Sequence, residues 1–310
     1  MSKILVTGGA GFVGSHVVDL LIKNNHDVII IDNLATGKIE NINPRAKFYQ
    51  EDLNNHQKIK EIFDKENPEI IYHLAAQIDI RKSVEDPVND AQINILSTLN
   101  LLESSIKNNI RHFIFSSSGG AIYGDTKNIP TSEEQKEQPI SPYGCAKLTI
   151  EKYLNYYNKV HDLKYTILRY SNVYGPRQNP NGEAGVISIF LMNMLNKKNP
   201  RIFGGTQTRD FVYVNDVAKA NILVLDDDET NTYNIGTGKE TDIIEIFSRL
   251  NKYFKNNFEP IYETMKQGEQ KKSCLDFSRI NQKLKWRPQI ELDEGLDKTY
   301  VWFLKNHKKS

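Results

Sequence analysis

The chain predicts an α/β fold, a doubly wound parallel sheet with helices on both faces, and a smaller interleaved lobe toward the carboxyl end. Two observations predict the sheet. Short β-branched apolar runs alternate with helix-length amphipathic segments, and a glycine-rich turn joins the first run to the first helix. A third predicts the lobe: after residue 170 the rhythm breaks, and Gly and Pro cluster in "NVYGPRQNPNGEAG".

The strands are read, in order, at "KILVTG", "DVIIID", "AKFYQED", "EIIYHLA", "RHFIFSSS" and "YTILRYS". Such nearly unbroken apolar runs mean strands buried on both faces, as parallel strands are. Helices are expected near 12–24, 54–66, 88–108 and 142–160. In the last, Ser141 suits an N-cap and Pro142 the first helical position, so Tyr143 and Lys147 stack at i and i+4 on one face. The predicted division is a sheet domain over 1–169 and a lobe over 170–310. Segments near 209–236, "TRDFVYVNDVAKAN" and "TYNIGTG", are expected to return to the sheet. "SRLNKYF" and "LDEGLDKTYVWFLK" close the chain with helix and loop.

The bulk numbers exclude several classes. Lys plus Arg is 40 against 39 for Asp plus Glu, so no nucleic-acid surface is indicated. Cys145 and Cys274 are the two cysteines, too few for a disulfide framework or a thiolate metal site, and the seven histidines show no ligand spacing. No metal is expected. No apolar run approaches the roughly 18 residues that span a bilayer. The chain opens directly into "KILVTGG" without the charged head and apolar core of a secretory signal, so a cytoplasmic protein is expected.

The chemistry begins at the first turn. Gly8, Gly9, Gly11 and Gly14 satisfy both G-x-G-x-x-G and its G-x-x-G-x-x-G variant, between a strand and a helix. Glycines there allow the tight turn, the approach of backbone to a pyrophosphate and close packing of helix on strand. Phe12 and Val13 open the helix whose amino end would face the anion. Asp32 ends the second strand, eighteen residues past Gly14. A carboxylate there accepts hydrogen bonds from an adenosine ribose and repels a 2′-phosphate, which favours NAD over NADP.

With "HLAA", "SSSGGAIYG", "SPYGCAK", "LRYSNVYGPRQ", "GTQTRDFVYVNDVA", "YNIGTG" and "KLKWRP" in one order, nearly the whole chain resembles the extended short-chain dehydrogenase/reductase family. Within it, the chain is similar to nucleotide-sugar epimerases of the UDP-glucose 4-epimerase type. The resemblance implies that Tyr143 is the acid/base. A phenol has an ordinary pKa of about 10, and the Lys147 ammonium and the positive nicotinamide ring both favour its phenolate. It further implies that Lys147 binds the nicotinamide ribose and that a strand-end hydroxyl bridges the tyrosine and the sugar. Counting forward from the strand gives Ser118, with Ser117 the alternative; counting back from Tyr123 gives Gly119, which has no hydroxyl.

Other contacts implied by the resemblance are Asn33, Thr36 and Gly37 beside the ribose, Asp52 and Leu53 at the adenine edge, and Leu74, Ala75 and Ala76 along the diphosphate. Asn94, Ser116 and Tyr170 belong near the nicotinamide. On the substrate side they are Asn172 toward the phosphates, Arg209 as pyrophosphate clamp, Val186 offering backbone, and Lys266 where the family carries a second arginine. Ser273 stands at the position that gates the sugar's 2-substituent, and a small residue there admits an N-acetyl group. Relatives that dehydrate carry an acidic pair where this chain has Gly120 and Ala121, groups unable to transfer protons. The implied reaction is C4 epimerisation of a UDP-hexose through a transient 4-keto sugar, UDP-glucose and UDP-galactose with their N-acetyl counterparts. The partners implied are the sugar nucleotide and a second copy of the chain. An oxidoreductase that releases its product is the alternative, and a silent NAD-binding scaffold is disfavoured by the intact Tyr143 and Lys147.

Overall fold

A computed structural model describes residues 1–180, 185–264 and 270–307. The first half runs β1 (Lys3–Thr7), α1 (Phe12–Lys23), β2 (Asp27–Asp32), β3 (Lys47–Gln50), α2 (His56–Glu66), β4 (Ile70–His73), α3 (Ile80–Glu85), α4 (Pro87–Ala91), a π-helical turn Gln92–Leu96, α5 (Ser97–Lys107), β5 (His112–Ser118), α6 (Gly119–Ile122), α7 (Pro142–His161) and β6 (Tyr165–Tyr170). The second half runs β7 (Asn172–Tyr174), α8 (Val186–Leu195), β8 (Arg201–Phe203), β9 (Thr208–Arg209), β10 (Phe211–Tyr213), α9 (Val214–Leu223), β11 (Asn231–Ile235), β12 (Thr241–Asp242), α10 (Ile243–Asn251), β13 (Ile261–Glu263), β14 (Lys272–Ser273), α11 (Ser278–Leu284) and α12 (Leu292–His307).

A seven-stranded sheet in the order β11-β6-β5-β4-β1-β2-β3 forms the centre, every neighbouring pair parallel. The apolar runs explain it: Val28, Ile29, Ile30 and Ile31 of β2 are all buried, alternating between a core under α1 and α9 and a core under α2, α5 and α7. The order reverses between β1 and β4, so the carboxyl ends of these strands part there and open the crevice where ligands of such sheets bind.

The segment "TYNIGTG" does return to the sheet, as β11 beside β6. "TRDFVYVNDVAKAN" does not: β10 pairs with β7 in a separate two-stranded sheet, and α9 packs on α1. The reason is composition, since Phe211 and Tyr213 fill the core of the second lobe with Phe190, Phe247 and Phe303, while Val217 and Ala220 pack the first. The expected 88–108 helix is broken by the π-helical turn. The lobe's own core joins α8, α10 and α12. Among the described residues no helix is long and apolar enough to cross a membrane.

Candidate active site

At the amino end of α1 the glycine turn is built around close backbone approach. Gly8 has φ +73, and a Cβ on it would lie 2.6 Å from the Ala75 nitrogen. A Cβ on Gly14 would lie 2.1 Å from the Gly8 carbonyl oxygen. No side chain caps α1, and its first turn holds no acidic residue, so the amides opening at Phe12 and Val13 keep their donors for an anion. This cradle fits a dinucleotide pyrophosphate. Leu74 and Ala75 line it, their amides donating to the Thr7 carbonyl and the Thr7 hydroxyl at 3.1 and 3.3 Å. Ala76 continues the same loop, half-buried.

Asp32 lies across the turn. Its carboxylate accepts the Ala10 amide at 3.0 Å and the Leu34 amide at 2.9 Å, one on each oxygen, which leaves lone pairs for ribose hydroxyls. Burial raises its pKa and those two hydrogen bonds oppose the rise. Gly37 packs against the carboxylate and Thr36 is exposed beside it. Asn33 donates to Asp52 at 2.8 Å, and Asn54 donates to the same carboxylate. Desolvation is the largest influence on Asp52 and raises its pKa, but these donors together outweigh it and hold the value low. Leu53 faces the core.

Tyr143 and Lys147 lie where the cap signals put them. The Ser141 hydroxyl accepts the Gly144 amide at 3.1 Å and Pro142 opens α7. Gly144 allows that first turn to meet α6, since a Cβ there would lie 2.6 Å from the Ala121 carbonyl. Both side chains are buried. The Lys147 ammonium donates to the Ser116 carbonyl at 2.8 Å and lies 4.8 Å from the Phe115 ring centroid and 5.8 Å from that of Tyr143. Burial pulls its pKa down to about 8, against the upward pull of the Asp90 and Glu151 charges. It is therefore mostly an ammonium at neutral pH.

Strand alternation separates the serines. Ser117 points to the far face of β5, where its hydroxyl donates to Glu151 at 2.6 Å. Ser118 points to the other face. A Cβ built on Gly120 would lie 4.0 Å from the Ser118 hydroxyl oxygen, 3.9 Å from Asn172 Oδ1 and 3.7 Å from the Ser273 hydroxyl oxygen. Three residues predicted from distant segments thus converge on one glycine. Asn172 Oδ1 and the Ser171 hydroxyl are buried without a hydrogen-bond partner among the described residues. Arg209 stands directly opposite Ser273 in the β9–β14 pair. Val186 opens α8. Lys266 lies outside the described residues, as does most of the loop before Val186.

Two predicted cofactor contacts also bond within the chain. Both functional ends of Asn94 are used within the chain: its oxygen accepts the Gln77 amide and its nitrogen donates to the Gln77 carbonyl and to Asp90, each at 2.9 Å. Tyr170 is buried in the core with its hydroxyl against Asn221. These bonds within the chain fix the orientation of both side chains. Reading for motifs missed Gln77, Asp90, Glu151 and Arg169. One signal was available for Glu151, which follows Tyr143 and Lys147 at the same spacing of four.

The profile of the NAD dependent epimerase/dehydratase family matches residues 4–236. The UDP-glucose 4-epimerase of Thermotoga maritima, crystallised with UDP-glucose, is 47% identical, with 98% of this chain and 99% of that one covered and a TM-score of 0.96. The UDP-glucose 4-epimerase of Thermus thermophilus, in complex with NAD, is 37% identical over 97% and 99% of the two chains, with a TM-score of 0.93. A UDP-N-acetylglucosamine 4-epimerase of Methanobrevibacter ruminantium, in complex with UDP-N-acetylmuramic acid, is 37% identical over 98% and 99%, with a TM-score of 0.92. The glycine cradle, the Asp32 carboxylate and these likenesses agree: this chain belongs to the NAD-dependent epimerase/dehydratase family, an isomerase similar to the UDP-glucose 4-epimerases, with NAD as its cofactor.

Proposed function

We propose that the protein inverts C4 of a UDP-hexose. The observation that carries this reading is the convergence of Ser118, Asn172 and Ser273 around Gly120, a residue without a side chain where relatives that dehydrate carry a carboxyl group. Loss of water from the ring would need a further acid there; epimerisation needs one group that takes and returns a proton. NAD, when bound, supplies a reversible acceptor for the hydride on C4. Tyr143 accepts the O4 proton as the C4–H bond breaks and returns it after the 4-keto sugar has turned about its phosphate linkage. Lys147 holds positive charge beside the phenol and is fixed by the Ser116 carbonyl. Ser118 donates to the sugar oxygen, while Arg209 and Asn172 hold the diphosphate. The sheet domain, 1–169, carries the chemistry and the 170–310 lobe most of the nucleotide grip.

Ser273 is small, and it supports a pocket that also takes N-acetylated sugars. The relative from Methanobrevibacter ruminantium, named for an N-acetylated substrate, is consistent with that width. The protein pairs with a second copy. Supporting this, Val84, Val88 and Leu96 on and after α3 and Tyr153, Tyr156 and Val160 on α7 are exposed, and α3 and α4 pack against α7.

The test incubates purified protein with UDP-galactose and, separately, UDP-GalNAc without added NAD, following both epimers and NADH absorbance. Conversion with no net NADH is expected from a recycled cofactor. Net NADH with an oxidised product would establish the oxidoreductase instead. Ser273→Tyr should abolish conversion of UDP-GalNAc and spare UDP-galactose; equal loss of both would reject the gate.

A further inference from the structure

The face of β5 opposite Ser118 carries a buried polar cluster that the reaction does not touch. Ser117, Glu151 and Arg169 are each at most 4% exposed. The Glu151 carboxylate accepts the Ser117 hydroxyl at 2.6 Å and Arg169 Nε at 3.1 Å, with a second guanidinium contact on its other oxygen. Arg169 extends the cluster to the Tyr123 hydroxyl at 2.8 Å and to Glu137 at 2.7 Å, and Tyr123 donates to Asn234 at 2.9 Å. The cluster therefore ties together α7, β5, β6 and the chain after α6 and β11.

Its position is what makes it informative. Ser117 sits between Ser116, whose carbonyl receives Lys147, and Ser118, which faces the sugar side. Glu151 sits one helical turn past Lys147, itself one turn past Tyr143, so one stripe of α7 bears all three. A buried ion pair adds little net stability, because desolvation offsets the attraction, and its best-attested use is to fix one arrangement.

We propose that Glu151 is a positioning residue: through Ser117 and Arg169 it locks the end of β5 to α7, and so fixes Ser118, Lys147 and Tyr143 relative to one another. The proposal rests on the acid–base roles given above. Glu151 also acts on the charge of Lys147. The groups facing that ammonium are Asp90 from α4, His73 from β4, and Tyr143 and Glu151 from α7 itself. Asp90 and Glu151 favour the charged form, and burial opposes it. Without the Glu151 charge, Lys147 loses its proton at lower pH.

The test uses NAD-loaded Glu151→Gln and Ser117→Ala, with Lys147→Met as control, measuring kcat, KM, NAD retention, thermal unfolding and the pH dependence of kcat. Ser117→Ala should lower kcat roughly tenfold, the scale of a small misplacement of reacting groups, with KM, NAD retention and the pH profile kept. Glu151→Gln should lower kcat at least as far and move the alkaline limb of the profile to lower pH. Parental kcat and profile in both variants would overturn the proposal. So would a parallel loss of NAD retention, KM and thermal stability, which would make the cluster structural only. If Glu151→Gln does not fold, kcat of Ser117→Ala decides alone. Full activity in Lys147→Met would overturn the acid–base reading; its loss beside unaltered Ser117→Ala and Glu151→Gln would overturn positioning alone.

Discussion

On the proposed reading, Lys147 serves catalysis against stability. Its ammonium is buried between the Ser116 carbonyl and the Phe115 ring, and burial brings its pKa from 10.5 to about 8. Below pH 8 the folded chain carries that buried charge at a cost. Between about 8 and 10.5 the folded lysine is neutral while the unfolded one still binds a proton, so this residue makes stability rise with pH across that window. Lys147→Met should therefore lower kcat by roughly a hundredfold or more and yet stabilise the NAD-free chain at pH 7, by at most about 3 kcal/mol at 1.36 kcal/mol per pKa unit. Urea unfolding from pH 7 to 10 checks it: the difference between variant and parent should shrink as pH rises, and a variant less stable than the parent at pH 7 would refute it. The Tyr143–Lys147 pair was legible from spacing and caps. The low pKa was not, because it comes from strands far away in sequence.

At the scale of elements, β1, its turn and α1 form one device. The strand is wholly apolar between its first and last residues, the turn admits no Cβ at Gly8 or Gly14, and the helix starts without a side-chain cap. Gly14→Ala would drive a methyl group into the Gly8 carbonyl. The expected destabilisation is about 1–3 kcal/mol, as for other overpacked sites, together with loss of copurifying NAD. Thermal unfolding and cofactor content measure both, and parental values of each would reject the geometry. This device was readable because each of its parts is local. The break in the 88–108 helix was not, because Gln92–Leu96 are ordinary helix formers and the Asn94 side chain bonds to Gln77 on another segment.

Over the whole molecule, the adjoining helices α3, α4 and α7 leave Val84, Val88, Tyr153, Tyr156 and Val160 exposed. Val88 is 76% exposed and Tyr156 49%, which is costly for a lone copy and ordinary for one half of an interface. On the proposed pairing, the parent should sediment as a dimer and Tyr156→Glu as a monomer in sedimentation equilibrium. A parent already monomeric at micromolar concentration would remove the case for pairing. The stripe of α7 that bears Tyr143, Lys147 and Glu151 is buried, so the variant should keep its NAD.

The sequence by itself determined the parallel sheet, the glycine cradle and the placing of Tyr143 and Lys147 on one face at the start of α7, since each is carried by a short segment whose pattern has one physical reading. Tertiary structure decided what depends on which face a residue presents to a distant segment. β-strand alternation sends Ser117 to Glu151 and Ser118 to the other side. Strand pairing sets Arg209 opposite Ser273. Core packing diverts β10 and α9 from the central sheet, and hydrogen bonding within the chain orients the side chains of Asn94 and Tyr170. Local propensity carries no information about such partners, because the free energy that selects them arises only when the segments are packed together.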